Sequence, residues 1–459
     1  MNIRKFCFVA YLILVSIRVL SQSPTTQGKE CWVAFLRNHN NGSVELSLIV
    51  SAKNACSGTV YNGSTGAQIS TFTVNSGGIT KIDIPVSYVH TNSEYIKDLG
   101  IVVSATDTIS LYASNFQSAS FDVTNVLPTN TLLSEYMILT YPPNIESSEF
   151  LIVATEDNTI VDITPSVVTT DGKLANQTFQ VTLNKGQTYL VISSSTTGDF
   201  SGTIVKARDC KKIAVFNGDL CANVPTNCTY CDHVVEQALP KDYWGKHFAI
   251  TNSSGRSNDR VRITALNNGT NVFINGALVT TINAGKTYEF TITSTDISCY
   301  VETSEPSAAM LYFVGSGCGG SSIGDPASVW ISPIEQKIKE ITFGTFQTVK
   351  TQTHFVNIVT EKDGVSSMTL NGNDISNQFS PLKGNSDLSY ARVSIPNGTH
   401  ILKNQSGFNA FVYGFGNVES YGFSVGSSAV NLNEQIFVNK VEKSLIPTSQ
   451  TYCINKDIV

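Results

Sequence analysis

The chain has 459 residues, of which 14% are charged and 41% hydrophobic. An average globular domain carries about 25% charged residues, so this chain is poor in charge yet apolar enough to build a core rather than stay disordered. Ser, Thr, Asn and Gly fill the gap; that mixture disfavours exposed helices, suits short strands joined by turns, and excludes a coiled coil, a collagen-like chain and a polytopic membrane protein.

The N-terminus reads Met1-Asn2-Ile3-Arg4-Lys5, then an apolar run from Phe6 to Leu20 broken only by Ser16 and Arg18. A basic start, a short apolar stretch and small residues at Val19 and Ser21 predict a secretory signal peptide over residues 1–21. A membrane anchor is the competing reading, but the run is short for a span and Arg18 interrupts its end. No second apolar stretch of spanning length follows, so no membrane-spanning segment is expected in the exported chain. Export removes three basic residues and leaves 27 against 36 acidic ones, a net charge of −9. An acidic chain without a basic run is a poor partner for nucleic acid or an anionic membrane. The expected location is extracellular or on the cell surface.

After the signal segment the chain repeats with a period of about 100 residues. Four anchors recur in the same order. A strand signal opens each module at Leu46–Ala52, Phe150–Thr155, Val261–Leu266 and Phe355–Thr360. A second strand follows at Gly58–Val60, Thr159–Ile163, Thr270–Ile274 and Ser367–Leu370. A glycine turn comes next, at Asn75-Ser76-Gly77, Asn184-Lys185-Gly186, Asn283-Ala284-Gly285 and Asn397-Gly398. A closing apolar strand ends the set at Ile109–Ala113, Ile213–Asn217, Met310–Val314 and Ala410–Gly414. Alternation at Phe179, Val181 and Leu183, and again at Thr188, Leu190 and Ile192, predicts a hairpin across the Asn184–Gly186 turn.

The fold class is therefore all-β, a tandem array of about four β-sandwich-like modules, with a β-propeller-like repeat assembly as the alternative. Similar linkers at Leu127-Pro128, Leu239-Pro240 and Ser332-Pro333 set the boundaries. Modules are expected at 22–127, 128–239, 240–332 and 333–426, with 427–459 as a tail.

Several segments resemble the IgGFc-binding protein N-terminal domain family over most of residues 28–426. The stretches that carry the resemblance are Gly28–Phe35, Ala119–Thr129, Glu149–Thr159 and Tyr413–Gly422. The most specific is Cys231-Asp232-His233-Val234-Val235-Glu236-Gln237-Ala238-Leu239-Pro240 with Trp244-Gly245 after it. Such a resemblance implies an extracellular, non-catalytic binding or adhesion protein. It implies a protein or glycoprotein ligand, with glycans as a further class, and no cofactor.

Nine cysteines follow the signal segment, and in an exported chain they favour disulfides. Cys210, Cys221, Cys228 and Cys231 allow three pairings, and zinc is the competing use. The family pattern favours Cys221–Cys231, leaving Cys210–Cys228. Cys31 stands where the family has an aromatic and gains Cys56 as a partner. Cys299 and Cys318 flank the closing strands of module three and should join, leaving Cys453 free.

Asp232, His233, Glu236 and Gln237 could form an acid/base or metal cluster. At a module junction their better reading is structural, with Pro240, Trp244 and Gly245, because polar side chains there satisfy linker backbone groups. The glycine-rich run Gly315–Gly320 and the Gly320–Gly324 elbow match lack the helix that would give them phosphate or nucleophile chemistry, while Gly285-Lys286-Thr287 has Thr280 where a P-loop has its first glycine and lies in a hairpin. The six histidines are scattered, without a metal or catalytic spacing. A carbohydrate-active enzyme or glycan-binding accessory remains the alternative, since paired carboxylates are placed by fold.

Overall fold

The computed structural model describes residues 24–38, 44–318, 322–348 and 350–433. The signal segment, His39, Cys453 and the tail beyond Asn433 lie outside the described residues.

Strands dominate. The first unit holds β1 (Gly28–Val33), β2 (Glu45–Ala52), β3 (Cys56–Asn62), β4 (Gln68–Val74), β5 (Gly78–Ile84), β6 (Ile96–Lys97), β7 (Ile101–Gln117) and β8 (Ser120–Val126). The second holds β9 (Glu135–Met137), β10 (Ser148–Ala154), β11 (Thr159–Thr164), β12 (Phe179–Leu183), β13 (Thr188–Ile192), β14 (Ile204–Ala207), β15 (Ile213–Asn223) and β16 (Cys231–Gln237). The third runs β17 (Gly245–Thr251), β18 (Asp259–Ala265), β19 (Thr270–Ile274), β20 (Ala277–Ile282), β21 (Thr287–Ile292), β22 (Ser298–Phe313) and β23 (Ala327–Ile331). The fourth runs β24 (Ile338–Gly344), β25 (Thr351–Glu361), β26 (Thr369–Leu370), β27 (Asn373–Asp374), β28 (Ser380–Leu382), β29 (Asn385–Ile395), β30 (Thr399–Gly416) and β31 (Glu419–Ser424).

One long strand organises each unit. The first half of β7 pairs with β1 and β3, and its second half pairs with β2 and β8. The strands β22 and β30 divide their partners in the same way. In the second unit the long strand is broken, so β14 and β15 take the two halves and two separate sheets result. The halves face each other across a shared core. Val161, Ile163 and Val205 from one sheet meet Phe150, Ile152, Val191 and Val215 from the other.

Burial explains the sequence pattern. In the outer half of β7, Ile101, Val103 and Ala105 point inward while Ser104 and Thr106 are exposed. That is the period-2 signature of a strand with one wet face. In the inner half, from Ile109 to Gln117, almost every residue is buried. Its second face is covered by other units, so alternation disappears there.

The last strands of the four units, β8, β16, β23 and β31, form a central hub. Packing closes on itself, with β8 against β16 and β31, and β23 against the same two strands. The four units therefore surround one axis. Buried and half-buried polar contacts tie each neighbouring pair. Arg37 pairs with Glu149 at 2.6 Å, and Arg262 with Asp199 at 2.9 Å. Asn357 donates to Thr251 Oγ1 at 2.8 Å, and Ser51 Oγ to the Thr342 carbonyl at 2.7 Å. Closure is completed by the chain's two described ends, where Thr26 N–H donates to Ser427 O and Ala429 N–H to Pro24 O.

Three strand expectations are corrected. The predicted hairpin over 179–192 does not form, because β12 pairs with β11 and β13 pairs with β10 and β6. The Asn184–Gly186 turn instead carries the chain from one sheet to the other, and alternation alone does not distinguish the two. In the fourth unit Asn397-Gly398 joins β29 to β30, so it is not equivalent to the other three glycine turns. The second strand of that unit shrinks to Thr369–Leu370, with a 3-10 turn over Lys362–Ser367 before it.

Gly186 shows what the crossing requires. Its φ is +76°, and a Cβ there would lie 2.1 Å from the Gly63 carbonyl carbon and the Ser64 nitrogen in the first unit. Gly186→Ala is expected to cost about 2–4 kcal/mol, since neither backbone can retreat. Denaturant unfolding checks this against Gly66→Ala, where a Cβ meets nothing within 4 Å.

Candidate functional site

The polar string singled out in the sequence is the hub strand β16. Asp232, His233, Glu236 and Gln237 are all at most 4% exposed. A strand between two packed neighbours in a buried centre draws on those neighbours for partners to such groups. Glu236 does so with both oxygens. Oε2 accepts from Thr124 Oγ1 of β8 at 2.7 Å, and Oε1 accepts from the Trp330 N–H of β23 at 3.0 Å. One carboxyl group thus joins three units. Gln237 adds a second clasp to β8. Its Oε1 accepts from Leu127 N–H at 2.7 Å, and its own N–H donates to Thr124 Oγ1 at 2.8 Å. A cavity of about 20 Å³ at this end of the axis is lined by Asn125, Glu236, Gln237 and Trp330 among others.

The other end of β16 is acidic. His233 Nδ1 lies 3.0 Å from Asp122 Oδ2 of β8, and His233 N–H donates to Asp232 Oδ1 at 2.8 Å. Asp325, just before β23, donates its N–H to Ser420 Oγ of β31 at 2.7 Å. Burial pushes Asp122 and Asp232 well above the usual carboxylate range and holds His233 down at about 4. The Asp122–His233 contact therefore favours a carboxylic acid facing a neutral imidazole. Burial also raises Asp325 to about 7 and Glu236 to about 8.

The remaining motif residues shape the junction. Pro240 bridges to Tyr136 of β9, at the start of the second unit. Trp244 is buried with its ring 6.2 Å from that of Trp330. Gly245 gives Pro333 room, since a Cβ would lie 2.3 Å from the proline Cβ. The sequence reading missed Asp122 and Thr124. Their signal was available, because the Leu127-Pro128 and Leu239-Pro240 linkers align β8 with β16 and place Thr124 opposite Glu236.

The cysteines require corrections. Cys221 bonds to Cys231, as the resemblance favoured. Cys228 bonds to Cys318 rather than Cys210, which is itself disulfide-bonded. Cys210 precedes β15 and Cys228 follows it, so 11 residues of extended strand separate them. Cys299 carries a free thiol for the same reason, as it sits near the start of β22 and the rest of that strand, residues 300–313, lies between it and Cys318. At about 3.3 Å per residue neither pair can approach the roughly 7 Å Cα limit of a disulfide. Cys31 and Cys56 are also free and buried. Cys31 and Val60 both flank Val103, on opposite sides of β7, and Cys56 lies four residues further along β3. The zinc alternative falls with the bridges, and among the described residues no group of His, Cys, Asp or Glu is placed to hold a metal ion.

Two expectations follow. The Cys228–Cys318 bridge closes a 90-residue separation and Cys221–Cys231 one of 10. Loop entropy assigns them about 4.6 and about 2.7 kcal/mol. Replacing Cys318 by Ser should therefore lower the denaturation midpoint more than replacing Cys221 by Ser. The second expectation concerns pH. Glu236 is protonated in both states below about pH 4.5. Between there and about pH 8 the unfolded chain releases its proton while the folded hub retains it. Stability therefore falls as pH rises through this window, with Asp325 adding to the slope up to about pH 7. Glu236→Gln keeps an acceptor and removes the titration, so its melting temperature should fall less than wild type between about pH 5 and pH 8. An unchanged slope would place Glu236 outside the effect.

Comparison with known proteins places this hub in context. The family model described as IgGFc binding protein matches residues 122–414, from Asp122 in the first hub strand to Gly414 in the last long strand. The human protein named IgGFc-binding protein is 30% identical over 201 residues, which is 42% of this chain and 4% of that protein's length. Among solved structures, an anti-sigma factor domain-containing protein from Clostridium clariflavum aligns over 82% of this chain and 98% of its own. Its identity is 10% and its TM-score 0.13. An α-L-rhamnosidase from Streptomyces avermitilis covers 86% of this chain and 57% of its own, with 8% identity and a TM-score of 0.12. Scores this low carry no argument about fold or activity. The family match spans more than half of the sequence and takes in the hub strands β16 and β23 and most of β8, so the chain belongs to the IgGFc-binding protein family.

Proposed function

We propose that the protein is a secreted or surface-exposed, non-catalytic binding protein whose ligands are host or matrix glycoproteins of mucin or immunoglobulin type. The observation that carries this reading is the family match over residues 122–414. The disulfides suit an oxidising, extracellular compartment. No helix among the described residues is long and apolar enough to cross a membrane. Residues 22–127, 128–239, 240–332 and 333–426 are read as its four modules, with Asp232, His233, Glu236 and Gln237 in a structural role. The clustered acidic groups Asp122, Asp232, Glu236 and Asp325 are at most 4% exposed, and Glu236 gives both its oxygens to neighbouring units. A substrate does not reach them without opening the hub.

The purified chain should bind at least one of immobilised mucin or immunoglobulin Fc saturably in biolayer interferometry. Saturable binding to neither sinks the reading. Release of reducing sugar from a glycan substrate would replace it with the carbohydrate-active alternative.

A further inference from the structure

The four units carry the same row of outward residues across the outer half of the long strand, and register makes them comparable. In the second unit the row runs Glu135, Lys206, Asp162 and Gln180. In the third it runs His247, Glu302, Phe273 and Leu278. In the fourth it runs Glu340, Lys403, Thr369 and Asp374. The long-strand position is thus held by a long charged side chain three times. Two of these make ion pairs along the row, Lys206 with Glu135 at 3.4 Å and Lys403 with Glu340 at 3.1 Å.

The first unit departs from this. Its row is Glu30, Ser104, Thr59 and Thr71. Ser104 leaves open the space that a lysine or glutamate fills elsewhere, and Glu30 is turned aside to accept from Thr129 Oγ1 at 3.0 Å. The result is a concave groove of about 540 Å³ with no charged residue in its lining. Its size lies within the roughly 300–1,000 Å³ of ordinary ligand sites. Ser57, Thr59, Thr71, Thr73 and Ser104 line it, with the half-buried ring of Tyr61 at one end. Among the described residues no protein group bonds to these five side-chain hydroxyls.

We infer that this groove is a binding site for a neutral oligosaccharide. Every hydroxyl there both donates and accepts, matching the hydroxyls of a sugar. A charged ligand would lose hydration against a lining that holds no charged side chain. The Tyr61 ring offers an apolar surface to the C–H face of a pyranose. The site lies on the sheet face and not at the edge of β4, which favours a sugar over a peptide added as a strand. The inference rests on the glycoprotein-binding reading and locates one contact for it.

The test is a printed array of neutral and sialylated glycans probed with the labelled full chain, alongside Ser104→Lys. That variant places in the groove what Lys206 and Lys403 place in the sibling units, so it should fold, and its melting temperature confirms that it does. Wild type should bind neutral glycans in preference to their sialylated counterparts. Ser104→Lys should weaken that binding at least about tenfold, and Tyr61→Ala should weaken it in the same direction. Absence of neutral-glycan binding, preference for sialylated chains, or binding unaffected by Ser104→Lys overturns the groove. Mucin or Fc binding that persists under any of those outcomes leaves the broader reading standing, while its absence in wild type overturns both.

Discussion

The structure depends on the closure of four hub strands around one axis. A strand buried on both faces needs cover on each side, and here each hub strand covers two others. The cores reflect this. Ile49, Tyr112, Phe121 and Val123 of the first unit pack with Ile341, Val356 and Phe423 of the fourth. Met137 and Tyr141 of the second pack with Met310 and Tyr312 of the third. A unit removed from the ring would expose its inner half, so the four units hold each other folded rather than standing as beads on a string.

Closing such a centre with polar side chains has a cost. Taking Asp122, Asp232, Glu236 and Asp325 out of water disfavours their charged forms, as their raised pKa values record. What they give back is direction. An apolar hub would tolerate a strand sliding past its neighbour, whereas Glu236 between Thr124 and the Trp330 N–H admits one register. The gain is specificity of assembly, and it fits a centre that must match four similar but unequal strands.

Much of this was legible in the sequence and some was not, for definite reasons. The repeat, the strand-rich class and the linker prolines are local properties and could be read directly. Strand continuity could not. Ser298–Phe313 looks like two strands because its outer half alternates and its inner half does not, yet it is one element with two environments. The Cys299–Cys318 pairing fails on that point, since a continuous strand holds the two cysteines far apart, and β15 does the same to Cys210 and Cys228. The hairpin expected at 179–192 failed for a related reason, as alternation records burial and not which strand is the partner. The Asp232–Gln237 string stands out in the sequence, but its partners Asp122 and Thr124 lie about 110 residues away and come near only through ring closure. The Ser104 groove depends on a comparison between units that needs the register, and the register is set in three dimensions.

The joined ends have a mechanical consequence. Pro24 lies opposite Ala429 and Thr26 opposite Ser427, in an antiparallel pairing. Tension drawn between Pro24 and Ala429 reaches these bonds one at a time, so the pairing peels. The hub strands behind it are held by many contacts in parallel and would have to shear together. Under load the terminal clasp yields first, at low force, and the ring's interior keeps its registration.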